Sequence, residues 1–238
     1  MTALFDYPRA AAFGRVLPKT RVYEHAGAST KLRQLFVDQV DQIVWQYKLA
    51  PETINLDPTD AVREIQVFRL RLRMSKYSDD VLRAIDKAIS FPIVFELAHG
   101  GKLKTIAAYK RPSEADHTKW VVSEYLSGEW ESEDNPRKPL PRALNLGALY
   151  DKILTALIPD GIAEAEPVAA RVERIEQIRA KQREAQRIKA RLAREKQYNK
   201  RIAINAELRE VTKEIKRLGG VALAKKYWSR CDGCQQDS

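Results

Sequence analysis

The 238-residue chain is poor in cysteine and histidine, and no apolar run in it approaches the ~18 residues that a membrane span requires. Two cysteines, Cys231 and Cys234, cannot build a disulfide framework. Cys231-Asp232-Gly233-Cys234 supplies half of the four ligands a structural zinc needs, and the three histidines, His25, His99 and His117, are scattered far upstream. Two free thiols on a polar tail are the plainer reading. The segment Met1 to Asp6 has neither the basic nor the apolar part of a secretory signal. No phosphate-binding loop, dinucleotide fingerprint, zinc-protease helix or nucleophile elbow occurs. These absences lead us to expect a cytoplasmic protein with no membrane attachment, no cofactor and no metal.

What is abundant is positive charge, and its position is informative. Residues 1–170 hold 23 Lys+Arg and 23 Asp+Glu, which cancel. Residues 171–238 hold 19 basic and 9 acidic residues, so the whole net charge of +10 lies there. A neutral domain with a basic extension implies an anionic partner: nucleic acid first, an acidic protein surface second.

The chain reads as an α+β domain over residues 1–160, a long basic helix or helical hairpin over 167–218, and a flexible tail over 219–238. Residues 1–28 show no clean period. Leu32, Leu35, Phe36, Val40, Ile43, Val44 and Tyr47 recur at helical spacing, so the first helix is expected to run from a cap at Ser29 or Thr30 to Pro51. Ile54-Asn55-Leu56 reads as a short strand. Residues 62–73 read as a strand with Phe68, Leu70 and Leu72 on one side and Arg69, Arg71 and Arg73 on the other. Ile65 and Val67 share the arginine side, which means either a face apolar at one end and basic at the other, or a bulge.

Ser78 caps a second helix. Ile93 to Leu97, the Gly100-Gly101 turn and Leu103 to Tyr109 make the clearest hairpin signal. A strand from Trp120 to Leu126, a polar loop over 127–143 and a helix capped by Asn145 complete the domain. We therefore expect a mainly antiparallel sheet of about four strands with packed helices. Trp45, Tyr47, Tyr109, Trp120, Tyr125 and Trp130 read as core.

From residue 168 to 218 there is neither proline nor glycine, enough for ~75 Å of helix at ~1.5 Å per residue. Ile204, Leu208, Val211, Ile215 and Leu218 form a heptad-like seam, and Val168, Ile175, Ile178, Ala185 and Leu192 form another out of register with it. A single coiled-coil helix, able to join copies of the chain, a helix that docks back at one end, and a hairpin are all compatible. Gly219-Gly220 is expected to cap or break the helix.

The strongest functional signal is the stretch 179–201. Arg179, Lys181, Arg183, Arg187, Lys189, Arg191, Arg194, Lys196, Lys200 and Arg201 face only Glu184 and Glu195, a surplus of +8. Such cations neutralise phosphates and release counterions. A solvated helix face is the alternative, weakened by the shortage of acidic i,i+4 partners. Arg69, Arg71 and Arg73 are a second candidate anion site, set against the ordinary wet face of a sheet. A metal-dependent nuclease would need an Asp and a Glu-x-Lys on neighbouring strands. Here Ala108-Tyr109-Lys110 has an apolar residue where the acid should stand, which leaves Glu64 and Glu96 as isolated carboxylates.

Several stretches together resemble a bacterial family known as domain of unknown function 4391. They are Leu17-Pro18-Lys19 with Tyr23-Glu24-His25, Phe36-Val37-Asp38, and Trp45 through Asn55. They continue with Glu64 to Phe68, Ile85 to Ile89, Ala107 to Lys110, Glu195 to Lys200, and Asn205 to Leu208. The resemblance implies a setting beside DNA methyltransferases and helicases of restriction or phage-defence systems. It implies no activity. The expectation is an accessory, non-catalytic protein that binds DNA, or a DNA-processing partner, through its basic helix. The alternatives are a degenerate metal-dependent nuclease and an oligomerising adaptor.

Overall fold

The computed structural model describes residues 4–113, 115–116, 120–160, 162 and 165–232, with side chains described as far as Gly219. The chain divides into two compact units, Met1–Leu157 and Ile158–Ser238.

In the first unit the chain enters through β1 (Phe5–Asp6), a 3-10 turn (Arg9–Ala11) and β2 (Ala12–Val16), then α1 (Lys19–Ala26) and α2 (Thr30–Gln39). Next come β3 (Val40–Leu49), the single helical turn α3 (Pro51–Ile54) and β4 (Ile65–Leu72). Helix α4 (Asp79–Ala88) leads to β5 (Ile93–His99) and β6 (Lys102–Ala107). The short strands β7 (Lys110–Pro112), β8 (Trp120–Val122), β9 (Leu126–Ser127), β10 (Glu131–Ser132) and β11 (Lys138–Pro139) precede α5 (Leu146–Thr155). Thus the lead-in 1–28, expected to be irregular, contains two strands, a 3-10 turn and a helix.

Seven strands form one sheet in the order β10-β6-β5-β4-β3-β2, with β9 also on β6. The expectation of a mainly antiparallel four-stranded sheet is corrected here: the sheet is mixed. Strands β4 and β5 run parallel, Phe68 opposite Phe95 and Leu70 opposite Leu97. A parallel pair needs a crossover, and α4 supplies it. The other pairings in this sheet are antiparallel.

The helix expected from Ser29 to Pro51 stops at Gln39, and Val40–Leu49 is a strand. Val40, Ile43, Val44, Trp45 and Tyr47 are β-branched or aromatic, and they prefer a pleated, half-buried surface. Ser29 does cap the helix, its hydroxyl accepting from the Leu32 amide at 3.3 Å. Pro51 opens a helical turn instead of ending a helix. Residues 54–56 form no strand, because Asn55 takes a left-handed φ of 53° that closes that turn.

Strand β4 is apolar at one end of its arginine face and polar at the other. The register shifts occur across β3, where Asp41 and Gln46 are passed over in the pairing with β4. Phe68, Leu70 and Leu72 join Phe36, Ile43, Leu82, Ile85 and Phe95 in one core under α1, α2 and α4. The β5–β6 turn uses Gly100 and Gly101 at φ 56° and 71°, the pair of left-handed residues that a two-residue hairpin with native twist demands.

The second unit is built on α6 (Val168–Arg194) and α7 (Tyr198–Asp232). These helices turn back on each other as a hairpin. Gly219-Gly220 does not end α7, which continues to Asp232. His117 and Cys234, and the Cys231 side chain, fall outside what is described. Among the described residues, no helix is long and apolar enough to cross a membrane.

Candidate nucleic-acid interface

The absence of proline and glycine lets α6 run unbroken to Arg194, and three residues, Glu195-Lys196-Gln197, reverse the chain. The Glu195 carboxylate fixes the turn by accepting from the Gln197 amide at 2.8 Å. That hydrogen bond is the main reason its pKa falls below the ordinary glutamate range. Ile175, Ile178, Ala185 and Ile188 of α6 are buried, as are Ile204, Val211 and Ile215 of α7, giving the hairpin an apolar seam. Arg171 is buried too, its Nε donating to the Ile162 carbonyl at 2.9 Å.

Ion pairs link the two antiparallel helices beside this seam. Lys181 Nζ lies 2.7 Å from Glu214 and 3.1 Å from Glu184. The Glu214 hydrogen bond raises the Lys181 pKa above the ordinary lysine range, and Lys181 lowers that of Glu214. Arg191 pairs with Glu207. The carboxylates of these pairs therefore come from the hairpin itself, and they engage two of the ten cations in 179–201.

The remaining eight are arranged unevenly. Arg179 is half-buried, and Arg183 and Lys189 are exposed. Arg187, Arg194, Lys196, Lys200 and Arg201 are exposed and make no ion pair or hydrogen bond through their side chains among the described residues. All five cluster within two turns of the hairpin's reversal. Arg183, Arg187, Arg191 and Arg194 recur every four, four and three residues, so they line one stripe of α6 away from the seam. The result is a cationic tip in which Arg187, Arg191 and Arg194 line an open groove with Glu195, whose carboxylate accepts from the Gln197 amide and lies in the field of Lys200.

The strand arginines do not form a comparable face. Arg69 is neutralised by Glu96, at 2.8 Å, and by Glu133, at 3.0 Å. Arg73, just past the end of β4, lies 3.2 Å from Asp41. Arg71 is exposed and has no side-chain partner among the described residues. It lines an open groove of about 490 Å³ together with Arg73, Asp41, His99 and Glu133, a wall of mixed sign.

The two isolated carboxylates are also committed. Glu96, 1% exposed, is clamped by Arg69 and by Arg137, whose Nη1 stands 2.7 Å away. Arg137 reaches further, to the Phe5 carbonyl at 2.8 Å. Glu64 sits 3.3 Å from Lys48 and accepts from the Gln66 amide group at 2.5 Å. Among the described residues, no group of three or more His, Cys, Asp or Glu is arranged to hold a metal.

Lys110 takes an unexpected place. It is buried, donating to the carbonyls of Asp86, in the last turn of α4, and of its C-cap Ile89 at 2.7 and 2.5 Å, with the Asp86 carboxylate 3.5 Å away. Tyr125 donates to the other oxygen of Asp86. Burial raises the Asp86 pKa and lowers that of Lys110. The arrangement is a closed internal network that caps a helix.

The profile of the family described as a domain of unknown function (DUF4391) matches residues 5–215. The chain belongs to the DUF4391 family. The match takes in the sheet, both ends of the hairpin's turn and most of its seam, and the DUF4391-like stretch Glu195 to Lys200 is that turn. The family's description assigns no activity. Neither a curated protein nor a solved structure matches the chain.

Sequence reasoning missed Arg137, Asp86 and Tyr198. The first two gain their meaning from partners 41 and 24 residues away along the chain. Tyr198 was visible as the one aromatic within the basic stretch.

Proposed function

We propose that this protein is an accessory, non-catalytic nucleic-acid-binding protein whose contact surface is the tip of the α6–α7 hairpin. The setting implied by the family resemblance is a bacterial DNA-processing or defence system. One observation carries the reading: Arg187, Arg194, Lys196, Lys200 and Arg201 are exposed and form no ion pair or side-chain hydrogen bond among the described residues, the one carboxylate acting on them being Glu195 beside Lys200. Exposed cations gathered at one end of a hairpin, in excess over the carboxylates there, recruit a polyanion by releasing the counterions condensed on it.

The test is binding of the full chain to duplex DNA across about 50 to 200 mM salt, followed by anisotropy. Five phosphate contacts give a slope of log affinity against log salt of about −4.5. Replacing the five cations by alanine should flatten the slope and weaken binding at least tenfold at the lower salt. An unchanged slope would remove the hairpin tip from the reading. Divalent-metal-dependent cleavage of the same DNA, lost in Glu64→Gln, would replace the accessory role by a nuclease.

A further inference from the structure

Tyr198 opens α7 just after the reversal, within the basic segment. Its side chain is out of the seam, and the residue is 76% exposed. It makes no hydrogen bond or ring contact with any other described residue through that side chain. Lys196 and Lys200 flank it two residues to either side, with Arg194 and Arg201 just beyond. Ile202, one turn along on the same face, is also 52% exposed. At ~100° per residue, Tyr198 and Ile202 sit roughly 120° or more from the Ile204–Val211–Ile215 seam. Neither side chain therefore serves the packing of the hairpin.

Single exposed apolar residues are ordinary and call for no explanation. Here the exposed ring belongs to a basic segment, with Arg201 three residues on and Ile202 four residues on along the same side of α7. Phosphate contacts alone need only the cations. The ring adds binding only if the ligand offers the face of a base, and a base within an intact duplex has both faces covered by its neighbours. Unpaired bases do offer that face, and aromatic side chains on basic surfaces take them by stacking.

We propose that the preferred ligand of the tip is nucleic acid with unpaired bases, held by phosphate contacts to the surrounding cations and by stacking of one base on Tyr198. The proposal rests on the nucleic-acid reading above and narrows it to a substrate class. The shared chemistry is a free base face next to backbone phosphates, whether from single-stranded DNA or RNA.

The experiment compares the full chain with Tyr198→Ala and Tyr198→Trp on oligo-dT, oligo-U and a duplex of equal length. The wild-type chain should prefer the unpaired strands. Tyr198→Ala should lose roughly 5- to 150-fold on them, the range measured for base-aromatic stacking, with duplex affinity within about twofold. Its salt slope should not change, because no phosphate contact is removed. Tyr198→Trp should restore binding, and the dT and U arms report which sugar is favoured. Loss of equal size on duplex and single strand, or no loss on either, overturns the stacking role while leaving the cationic interface standing. A wild-type chain that binds none of the three removes both.

Discussion

Lys110 places an ammonium group where water does not reach. Its partners are two carbonyls at the C-terminal end of α4 and the Asp86 carboxylate, itself buried and bonded by Tyr125. Lys110→Met would leave those carbonyls uncapped and Asp86 without its cation, and should cost about 3 kcal/mol in urea unfolding at neutral pH. The sign of its pH dependence follows from Asp86. Burial already raises that pKa, and removing Lys110 takes away the largest influence lowering it. A group raised in the folded state contributes stability that is complete below its unfolded value and fades as pH climbs through the folded one. The variant should therefore lose more stability relative to wild type at pH 8 than at pH 5. A penalty independent of pH would show that Asp86 is not the group left exposed to the change. None of this was legible in the sequence. Lysine on a short strand reads as surface, and only the fold brings Asp86 within reach of it. Arg69 is a related case: strand alternation placed it on the right side of β4, but could not reveal that Glu96 on the neighbouring strand was waiting there.

Among the elements, the hairpin is the most demanding. Ile175, Ile178, Ala185 and Ile188 meet a counterpart row on α7 that includes Val211, with ion pairs at the margins. A charge introduced at Val211 would be buried without a partner, so Val211→Asp should cost about 3 kcal/mol and reduce the helical circular-dichroism signal. Lys213→Ala, on an exposed position two residues on, should change neither by more than about 0.5 kcal/mol. Equal loss from both would mean that propensity, not the seam, holds the helices. The two seams were visible in the sequence, and their failure to join in register is explained by the reversal between them. The Gly100-Gly101 turn was equally legible, because glycine is the residue that a left-handed pair requires. Val40 to Leu49 was not. Its apolar positions fit a helical period, and only the density of β-branched and aromatic side chains argued for a strand. The parallel pairing of β4 with β5 was overlooked for a similar reason: a helix between two adjacent strands was counted as an element and not as a crossover.

At the scale of the molecule, charge and fold are segregated. The first 170 residues are neutral in sum, and their arginines are spent partly on internal carboxylates such as Glu96. Arg137 shows how much a single one of them gathers. It ties the β5 carboxylate to the carbonyl of Phe5, across 132 positions of chain. Arg137→Met would strip Glu96 of one of its two cations and free the first strand, and should lower stability by about 3 kcal/mol by chemical denaturation. A variant as stable as wild type would mean that Arg69 alone suffices for Glu96. Beside that contact, Phe5 pairs with Lys138 and Asp6 with Pro139. A ribosome delivers the chain in one direction, so the opening strand emerges long before its mate exists. It must remain unzipped until some 130 further residues have been made, while the later hairpin, whose partners lie close by along the chain, can close almost as soon as it is synthesised.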